Sequence, residues 1–232
     1  MANYLGPFYE SQIEITVTKE ATIVDHWILQ TVHTPRRRLH KLLIGLNIKW
    51  LPCSKPEDED EHSVALLQLC VGDRCLIFQL LHRDFIPQSF IDFLIDPNNT
   101  FVGIGVEGDV EKLLCDHGLY VANTVDLNKL ALLTYEEEVY GKMGLKRMAK
   151  AVLGKVMEKP EDVTLSKWDA ENLSCEQIEY GAIDVFVSFE LGKNLFNILS
   201  NRDSRRVKFQ PWLLLKETLM RLQNLALDLN LK

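Results

Sequence analysis

The sequence predicts an α/β fold in which a mixed sheet of five to six strands is flanked by helices. From residue 42 onward, the hydrophobic patterns follow the order strand, strand, strand, helix, strand, helix, strand, helix. Two of the first three strands are separated only by a short polar turn, which is typical of an antiparallel hairpin. A hairpin followed by alternating strands and helices favours a mixed sheet with helices on its faces.

The elements before and within the hairpin have clear periodicities. The stretch "SQIEITVTK" alternates like a half-buried strand, and "EATIVDHWILQTV" places Ile23, Trp27 and Ile28 at helical spacing. A basic break, "HTPRRRLHK", leads to the buried strand "LLIGLNIKW". After the polar run "SKPEDEDEHS", the strands "VALLQLCVG" and "CLIFQL" form the predicted hairpin.

The rest of the chain continues the alternation and then becomes helical. "PQSFIDFLID" predicts a short helix, "TFVGIGVEG" a strand, and "DVEKLLCDHG" a helix that Gly118 ends. "VANTVDLNKLALL" predicts a strand that runs into a helix. From "GLKRMAKAVLG" to "LSCEQIEYGAIDVFVSFELGKNLFNIL" the apolar residues recur at helical spacing.

Composition indicates one domain with a short appendage. The chain has 232 residues, 47% of them hydrophobic, and we predict a domain at 1–200 and a helical extension at 201–232. No stretch reaches the roughly 18 uncharged apolar residues of a membrane span, so we expect a cytoplasmic and/or nuclear protein with no membrane partner. Five cysteines without a CxxC pair favour buried thiols. The net charge of −7 argues against non-specific coating of nucleic acid.

Four stretches, in this order, carry a resemblance to a known family: "IGLNIKWLP", "VALLQLCVGDRCLIFQL", "FVGIGVEGDVEKL" and "LSCEQIEYGAIDVF". Together they resemble the 3′-to-5′ exonucleases of the ribonuclease H-like superfamily, of the type with a tyrosine in the third motif. The likeness extends from about residue 13 to residue 199, and is greatest to small plant proteins similar to the Werner-syndrome exonuclease domain and to RISC-interacting clearing exoribonucleases. The resemblance implies a ribonuclease H-like, DnaQ-like exonuclease fold.

The resemblance also implies a two-metal hydrolase. In such enzymes two Mg²⁺ or Mn²⁺ ions, held by four carboxylates, stabilise the entering and leaving oxygens of a phosphodiester. Asp109 matches the carboxylate of the second motif and Asp184 that of the third, both as metal ligands, and Tyr180 matches the tyrosine that orients the attacking water. Judged from the residues alone, Asp109 could be a helix N-terminal residue favoured by the dipole, and Tyr180 and Asp184 could be ordinary positions on an amphipathic helix.

The first motif departs from the family pattern. Where relatives have an aspartate and a glutamate, this chain has Asn47 and Lys49. Asp109 and Asp184 with Lys49 carry a net charge of −1, against −4 for four carboxylates, so two divalent ions would leave a large uncompensated charge. We therefore expect metal binding to be weak or lost, with the Lys49 ammonium paired with Asp184 or Asp109 in the place of an ion.

An active enzyme with altered ligands is the alternative. The acidic run Glu57, Asp58, Glu59, Asp60 and Glu61 could lend a carboxylate, Asn47 could offer a neutral oxygen, and a partner subunit could complete the site. A solvated loop is the simpler explanation of the acidic run. Asp126, at a strand end near the site, matches a scaffold position of the family. The six histidines have no spacing typical of a metal site.

Basic residues suggest a surface for single-stranded RNA or DNA. Arg37, with Arg36, Arg38 and Lys41, directly precedes the first-motif strand. Lys146, Arg147 and Lys150 would share one helical face that could meet backbone phosphates. Ordinary solvated faces explain these residues equally well.

The C-terminal extension predicts a coiled-coil-like helix. Its apolar residues step by three and four, at Trp212, Leu215, Leu219, Leu222, Ala226 and Leu229. A helix with so broad an apolar face must bury it, either on its own domain or on another subunit. Since relatives of the family are often symmetric oligomers, we expect a homo-oligomer. Three functions stay open: an impaired 3′-to-5′ exonuclease, a non-catalytic binder of 3′ ends of RNA or single-stranded DNA, and a scaffold subunit of an assembly.

Overall fold

A computed structural model describes residues 2–33, 42–50, 63–158 and 160–206. The strands within these ranges are β1 Ala2–Phe8, β2 Ser11–Thr18, β3 Leu42–Lys49, β4 Leu66–Val71, β5 Arg74–Gln79, β6 Asn99–Gly103 and β7 Thr124–Asp126. The helices are α1 Ala21–His33, α2 Gln88–Ile95, α3 Val106–His117, α4 Leu127–Tyr135, α5 Leu145–Met148, α6 Glu161–Thr164 and α7 Cys175–Arg206. A π-helical turn, Ala149–Leu153, extends α5, and 3₁₀ turns lie at Leu80–His82 and Glu138–Lys142.

The strands form one mixed sheet in the order β1-β2-β5-β4-β3-β6-β7. The β1–β2, β4–β5 and β3–β4 pairs are antiparallel, whereas β2–β5, β3–β6 and β6–β7 are parallel. The predicted fold class and the predicted hairpin are therefore confirmed.

The sheet has seven strands in the described residues, so the predicted number of five to six was too low. The additional strand is β1, which pairs with β2 from Ala2↔Val17 to Phe8↔Ser11. Its sequence contains Gly6 and Pro7, and both residue types are depleted in strands. Pro7 is tolerated because β1 lies at the edge of the sheet, where one side of the strand needs no ladder hydrogen bonds.

The two faces of β3 have different tasks. Ile44, Leu46 and Ile48 belong to the hydrophobic core that α1, α2 and α3 cover. The alternate residues point to the opposite face because side chains of a strand have a period of two. Asn47 and Lys49 therefore lie on the face that α7 covers.

Gly45 allows α7 to lie directly against β3. A Cβ atom at this position would be 2.4 Å from the carbonyl oxygen of Val185 and 3.0 Å from the backbone nitrogen of Phe189. Any side chain would therefore force the helix away from the sheet. The glycine thus fixes the height of α7 above the polar residues of β3.

A capping box starts α7. The Ser174 hydroxyl accepts from the backbone N–H of Gln177 at 3.2 Å, and the Gln177 side chain accepts from the backbone N–H of Ser174 at 2.9 Å. The Gln177 amide also donates to the Ser166 hydroxyl and to the Lys167 carbonyl. The same glutamine therefore caps the helix and holds the preceding loop against it.

Two compact units divide the chain, Met1–Lys193 and Asn194–Lys232. The predicted helix over 212–229 lies outside the described residues, and the domain boundary at residue 200 stays a prediction. Within the described residues, none of the helices combines the length and the hydrophobicity of a membrane span. Cys70 and Cys75 are buried free thiols as expected, but Cys115 and Cys175 are exposed, and Cys53 lies outside the described residues.

Candidate active site

The predicted site residues come together where β3 and β6 end. Because these strands are parallel, Lys49 at the end of β3 lies near the turn that follows β6 and starts α3. Asp109 is in the first turn of α3. Tyr180 and Asp184 are one helical turn apart on α7 and are both buried. The sheet edge and the two helices thus bring the three motifs to one place.

Lys49 is bound at the centre of this group. Its Nζ lies 2.6 Å from Oδ2 of Asp184, and only 15% of the Lys49 side chain and 3% of the Asp184 side chain are exposed. The same Nζ lies 4.7 Å from the ring centre of Tyr180. Of the two pairings predicted for Lys49, the structure shows the one with Asp184.

Asn47 faces another carboxamide. It pairs across the sheet with Gln68 of β4, and its Nδ2 donates to Oε1 of Gln68 at 2.7 Å. Gln68 is fully buried, and its Nε2 has no hydrogen-bond partner within the described residues. The backbone of α7 closes over that amide, since a Cβ on Gly181 would lie 2.2 Å from the Gln68 Nε2. Asn47 is therefore engaged in a neutral pair.

The electrostatics of Asp109 weaken the site further. Burial raises the pKa of Asp109 to about 7, the Asp126 carboxylate adds to the rise, and the Lys49 ammonium opposes it. Near neutral pH this carboxyl group is therefore protonated in a large fraction of molecules. The combined charge of Asp109, Asp184 and Lys49 then lies between −1 and 0.

The resemblance implied a scaffold role for Asp126, and its hydrogen bonds are those of a helix cap. One of its oxygens accepts from the backbone N–H groups of Asn128 at 2.8 Å and Lys129 at 3.2 Å, so it caps the start of α4. The other oxygen accepts from the Gly105 N–H at 2.7 Å. Asp126 thereby holds the turn from which α3 starts and positions Asp109 indirectly.

Sequence reasoning gave no role to Trp168 or Gln68. Trp168 is buried, with its ring centre 5.3 Å from the Lys49 Nζ and 6.0 Å from the Tyr180 ring centre. Its indole N–H donates to the Thr164 carbonyl at 3.1 Å. The sequence does place a tryptophan shortly before the third motif, in "LSKWDAENLSC". Only the fold shows that this ring contacts Lys49.

A groove of about 460 Å³ adjoins Asp109. Trp50, Glu111, Lys112 and Asp116 line it together with Asp109. Lys112 Nζ lies 5.9 Å from the centre of the Trp50 ring and 3.2 Å from Oδ2 of Asp116. With three carboxyl groups against one ammonium, the groove does not attract phosphate by charge alone.

The predicted basic surface is described only in part. Lys146 and Arg147 on α5 and Lys150 on the π-helical turn are exposed. Arg37 and its basic neighbours lie outside the described residues, as does the acidic run 57–61.

The described residues do not fit a pair of divalent ions. Mg²⁺ and Mn²⁺ need several oxygen ligands each. Among the residues that the structure describes, no group of three histidine, cysteine, aspartate or glutamate side chains could hold a metal ion. One oxygen of Asp184 is already bound to an ammonium, and Asn47 and Lys49 replace two carboxylates. The chemistry of this donor set is that of an internal ion pair.

Comparisons with known proteins define the class. The sequence model of the 3′-5′ exonuclease family matches residues 54–200, which begins after the first-motif strand. A 3′-5′ exonuclease of Arabidopsis thaliana is 32% identical over 187 residues, covering 78% of this chain and 63% of the relative. The mouse bifunctional 3′-5′ exonuclease/ATP-dependent helicase WRN is 28% identical over 157 residues, covering 67% of this chain and 11% of that protein.

Among solved structures, the EXO domain of Aedes aegypti Nibbler matches with a TM-score of 0.68. The match covers 88% of this chain and 94% of that domain at 14% identity, so it supports the fold alone. The chain belongs to the 3′-5′ exonuclease family and has its ribonuclease H-like fold. It spans less than two thirds of the length of the Arabidopsis relative.

Proposed function

We propose that this protein binds the 3′ ends of single-stranded RNA or DNA and that its hydrolysis of them is weak or absent. The observation that carries the proposal is the 2.6 Å ion pair between Lys49 and Asp184. A fixed ammonium takes one oxygen of a carboxylate that, in the family pattern, would bind a metal. The two-ion mechanism needs both ions to stabilise the entering and leaving oxygens.

Two further observations support loss of hydrolysis. Asn47 donates to Gln68, so a neutral pair stands in place of a metal-binding carboxylate. The raised pKa of Asp109 makes proton binding compete with metal binding near pH 7. Mg²⁺ or Mn²⁺, the cofactors that the resemblance implies, would therefore not be held as a pair.

Nucleic-acid binding is the part of the family function that survives without metal. Lys146 and Arg147 on α5 and Lys150 on the following π-helical turn offer three exposed cationic groups. Contacts of this kind bind phosphates without reading sequence. A homo-oligomer in the cytoplasm or nucleus would be the working form.

The test measures binding and hydrolysis separately. A single strand labelled at an internal base near its 5′ end, or the same labelled strand circularised, is titrated in EDTA by fluorescence anisotropy. The linear strand is then incubated with Mg²⁺ or Mn²⁺ and sized on a gel. We expect tighter binding of the linear strand in EDTA and an unchanged length with metal. The triple change Lys146→Ala, Arg147→Ala and Lys150→Ala should lower the logarithmic salt dependence of binding by about 2, at roughly 0.7 per phosphate contact.

Lys193→Ala is the matched control, because Lys193 is an exposed lysine paired with Glu190 on α7. Its affinity should equal that of the wild-type chain. Metal-dependent shortening that Asp109→Ala and Asp184→Ala abolish would establish an active enzyme instead. Three results would favour the scaffold subunit: equal affinity for the linear and the circular strand, affinity that does not depend on salt, or no detectable binding of either strand.

A further inference from the structure

Trp168 gives the Lys49 site a third wall. The Lys49 ammonium contacts the Asp184 carboxylate on one side, with the Tyr180 ring centre at 4.7 Å and the Trp168 ring centre at 5.3 Å. The two rings are tilted by 37° to each other, with their centres 6.0 Å apart. One carboxylate and two aromatic faces thus surround a single cation.

Neighbouring bonds hold this arrangement in place. The indole N–H of Trp168 donates to the carbonyl oxygen of Thr164. The Thr164 hydroxyl lies 3.3 Å from the Tyr180 hydroxyl, which ties both rings to the same residue. Gln177 binds the loop at Ser166 and Lys167 to the first turn of α7. The walls are therefore set by the fold as well as by contact with Lys49.

The chemistry of the walls suits an organic ammonium better than a hard divalent ion. Aromatic faces attract ammonium groups through the negative potential of the ring, most strongly when the group is desolvated. Rings supply no oxygen ligands, whereas Mg²⁺ requires near-octahedral oxygen coordination and dehydrates reluctantly. The one carboxylate in contact with the ammonium, that of Asp184, matches its single positive charge.

We infer that Trp168, Tyr180 and Asp184 form a binding site for a primary alkylammonium, which Lys49 fills from within the chain. Asp184, a metal ligand in the family pattern, is here part of a cage for an organic cation. The cage holds the Lys49 ammonium whether or not the protein binds nucleic acid.

Chemical rescue tests the cage. Lys49→Ala removes the side chain beyond Cβ, a fragment that n-propylammonium reproduces. Thermal unfolding of the variant is followed with added n-propylammonium chloride, with NaCl at equal ionic strength, and with n-propanol as the neutral isostere. A ligand that binds only the folded state raises its stability. We therefore expect n-propylammonium to reverse about half of the decrease in Tm that Lys49→Ala causes, and NaCl and n-propanol to reverse none of it. The wild-type chain, whose cage is filled, should not respond.

If Lys49→Ala does not fold in salt, folding in n-propylammonium but not in NaCl or n-propanol gives the same support. Equal effects of NaCl and n-propylammonium would overturn the inference, as would stabilisation by MgCl₂ at lower concentration than by the amine.

A second measurement uses chains that keep a full-length side chain at residue 49. Trp168→Leu should lower the Tm more in the wild-type chain than in Lys49→Met, because only the former has a cation for the ring to bind. Equal decreases in Tm in the two chains would show that Trp168 contributes only apolar packing, which would contradict the cage.

Discussion

Lys49 changes the chemistry of the site because its positive charge is covalently part of the chain. A metal ion can dissociate, whereas the Lys49 ammonium is part of the chain; its Nζ lies 2.6 Å from Oδ2 of Asp184, and its side chain is mostly buried. The negative charge of Asp184 is thereby neutralised by a side chain of the same protein instead of by a metal ion. Asn47 adds to the effect, because its hydrogen bond to Gln68 replaces a charged ligand by a neutral pair.

The ion pair should behave as a unit when either partner is removed. Asp184→Ala leaves the Lys49 ammonium without its carboxylate, and we expect it to lower the free energy of unfolding by about 3 kcal/mol, the scale for an orphaned buried charge. Adding Lys49→Met should recover part of that loss, since no lone charge then stays in the site. Denaturant titration of the four chains measures the coupling. Additive losses in the double variant would show that the two groups do not interact.

His117 gives a pH dependence of opposite sign to that of Asp109. His117 Nε2 lies 2.7 Å from the Val64 carbonyl oxygen and Nδ1 lies 3.2 Å from Nη1 of Arg83, which suits a neutral ring that donates at Nε2 and accepts at Nδ1. Burial and Arg83 lower the pKa of His117, although the Val64 carbonyl opposes the shift. Its stabilising effect is therefore complete above the unfolded pKa of about 6.5 and is lost as the pH falls through the lower folded value.

The measurement compares the free energy of unfolding of the wild-type chain and His117→Gln from about pH 8 to about pH 5. The advantage of the wild-type chain should shrink toward acid. The raised pKa of Asp109 stabilises the fold below its unfolded pKa and loses this effect as the pH rises toward about 7, but it is common to both chains and cancels in the difference. A constant difference across the range would contradict the neutral-ring assignment.

At the scale of elements, α7 is where stability and the site meet. Ser174→Ala removes the hydroxyl that accepts from the Gln177 backbone N–H, and we expect the free energy of unfolding to fall by about 1 kcal/mol. Gln177→Ala should cost more, because Gln177 also holds Ser166 and Lys167 in the loop that carries Trp168. Chemical denaturation measures both losses, with Glu179→Ala, an exposed position on the same helix, as the control. An equal effect of all three changes would show that the cap does not anchor the loop.

Local patterns in the sequence predicted most elements near the site. Asn47 and Lys49 are two residues apart in a predicted strand, and Tyr180 and Asp184 are four residues apart in a predicted helix, so each pair lies on one face of its element. Charge arguments predicted that Lys49 would pair with a carboxylate. Strand β1 was missed because Gly6 and Pro7 hide its pattern, and its pairing depends on β2.

Tertiary contacts explain what the sequence could not show. Gln68 lies opposite Asn47 only because of the register between β3 and β4. Trp168 reaches Lys49 only because Gln177 and Thr164 fix its loop. Neither contact leaves a periodic signal, since the partners are far apart in the chain.

For the whole molecule, the C-terminal segment bears on assembly. The apolar seam from Trp212 to Leu229 predicts a buried helix face, and we propose that it contributes to a homo-oligomer. Removing residues 207 to 232 should lower the mass in sedimentation velocity. A point variant, Leu219→Asp with Leu222→Asp, should do the same if the seam is the contact. Unchanged mass in both chains would assign the seam to packing within one subunit.

The fold as a whole belongs to a nuclease family, while the centre of its site holds an internal cation. Calorimetric titration of Mn²⁺ tests this most directly, in the wild-type chain and in Asn47→Asp with Lys49→Glu. The double variant restores four carboxylates, frees Asp184 and gives Gln68 an anionic acceptor, so it should bind two ions and gain metal-dependent shortening of 3′ ends. The wild-type chain should bind no pair of ions. Two Mn²⁺ ions bound with comparable affinity by the wild-type chain would contradict the conclusion that an internal ammonium replaces the metal pair.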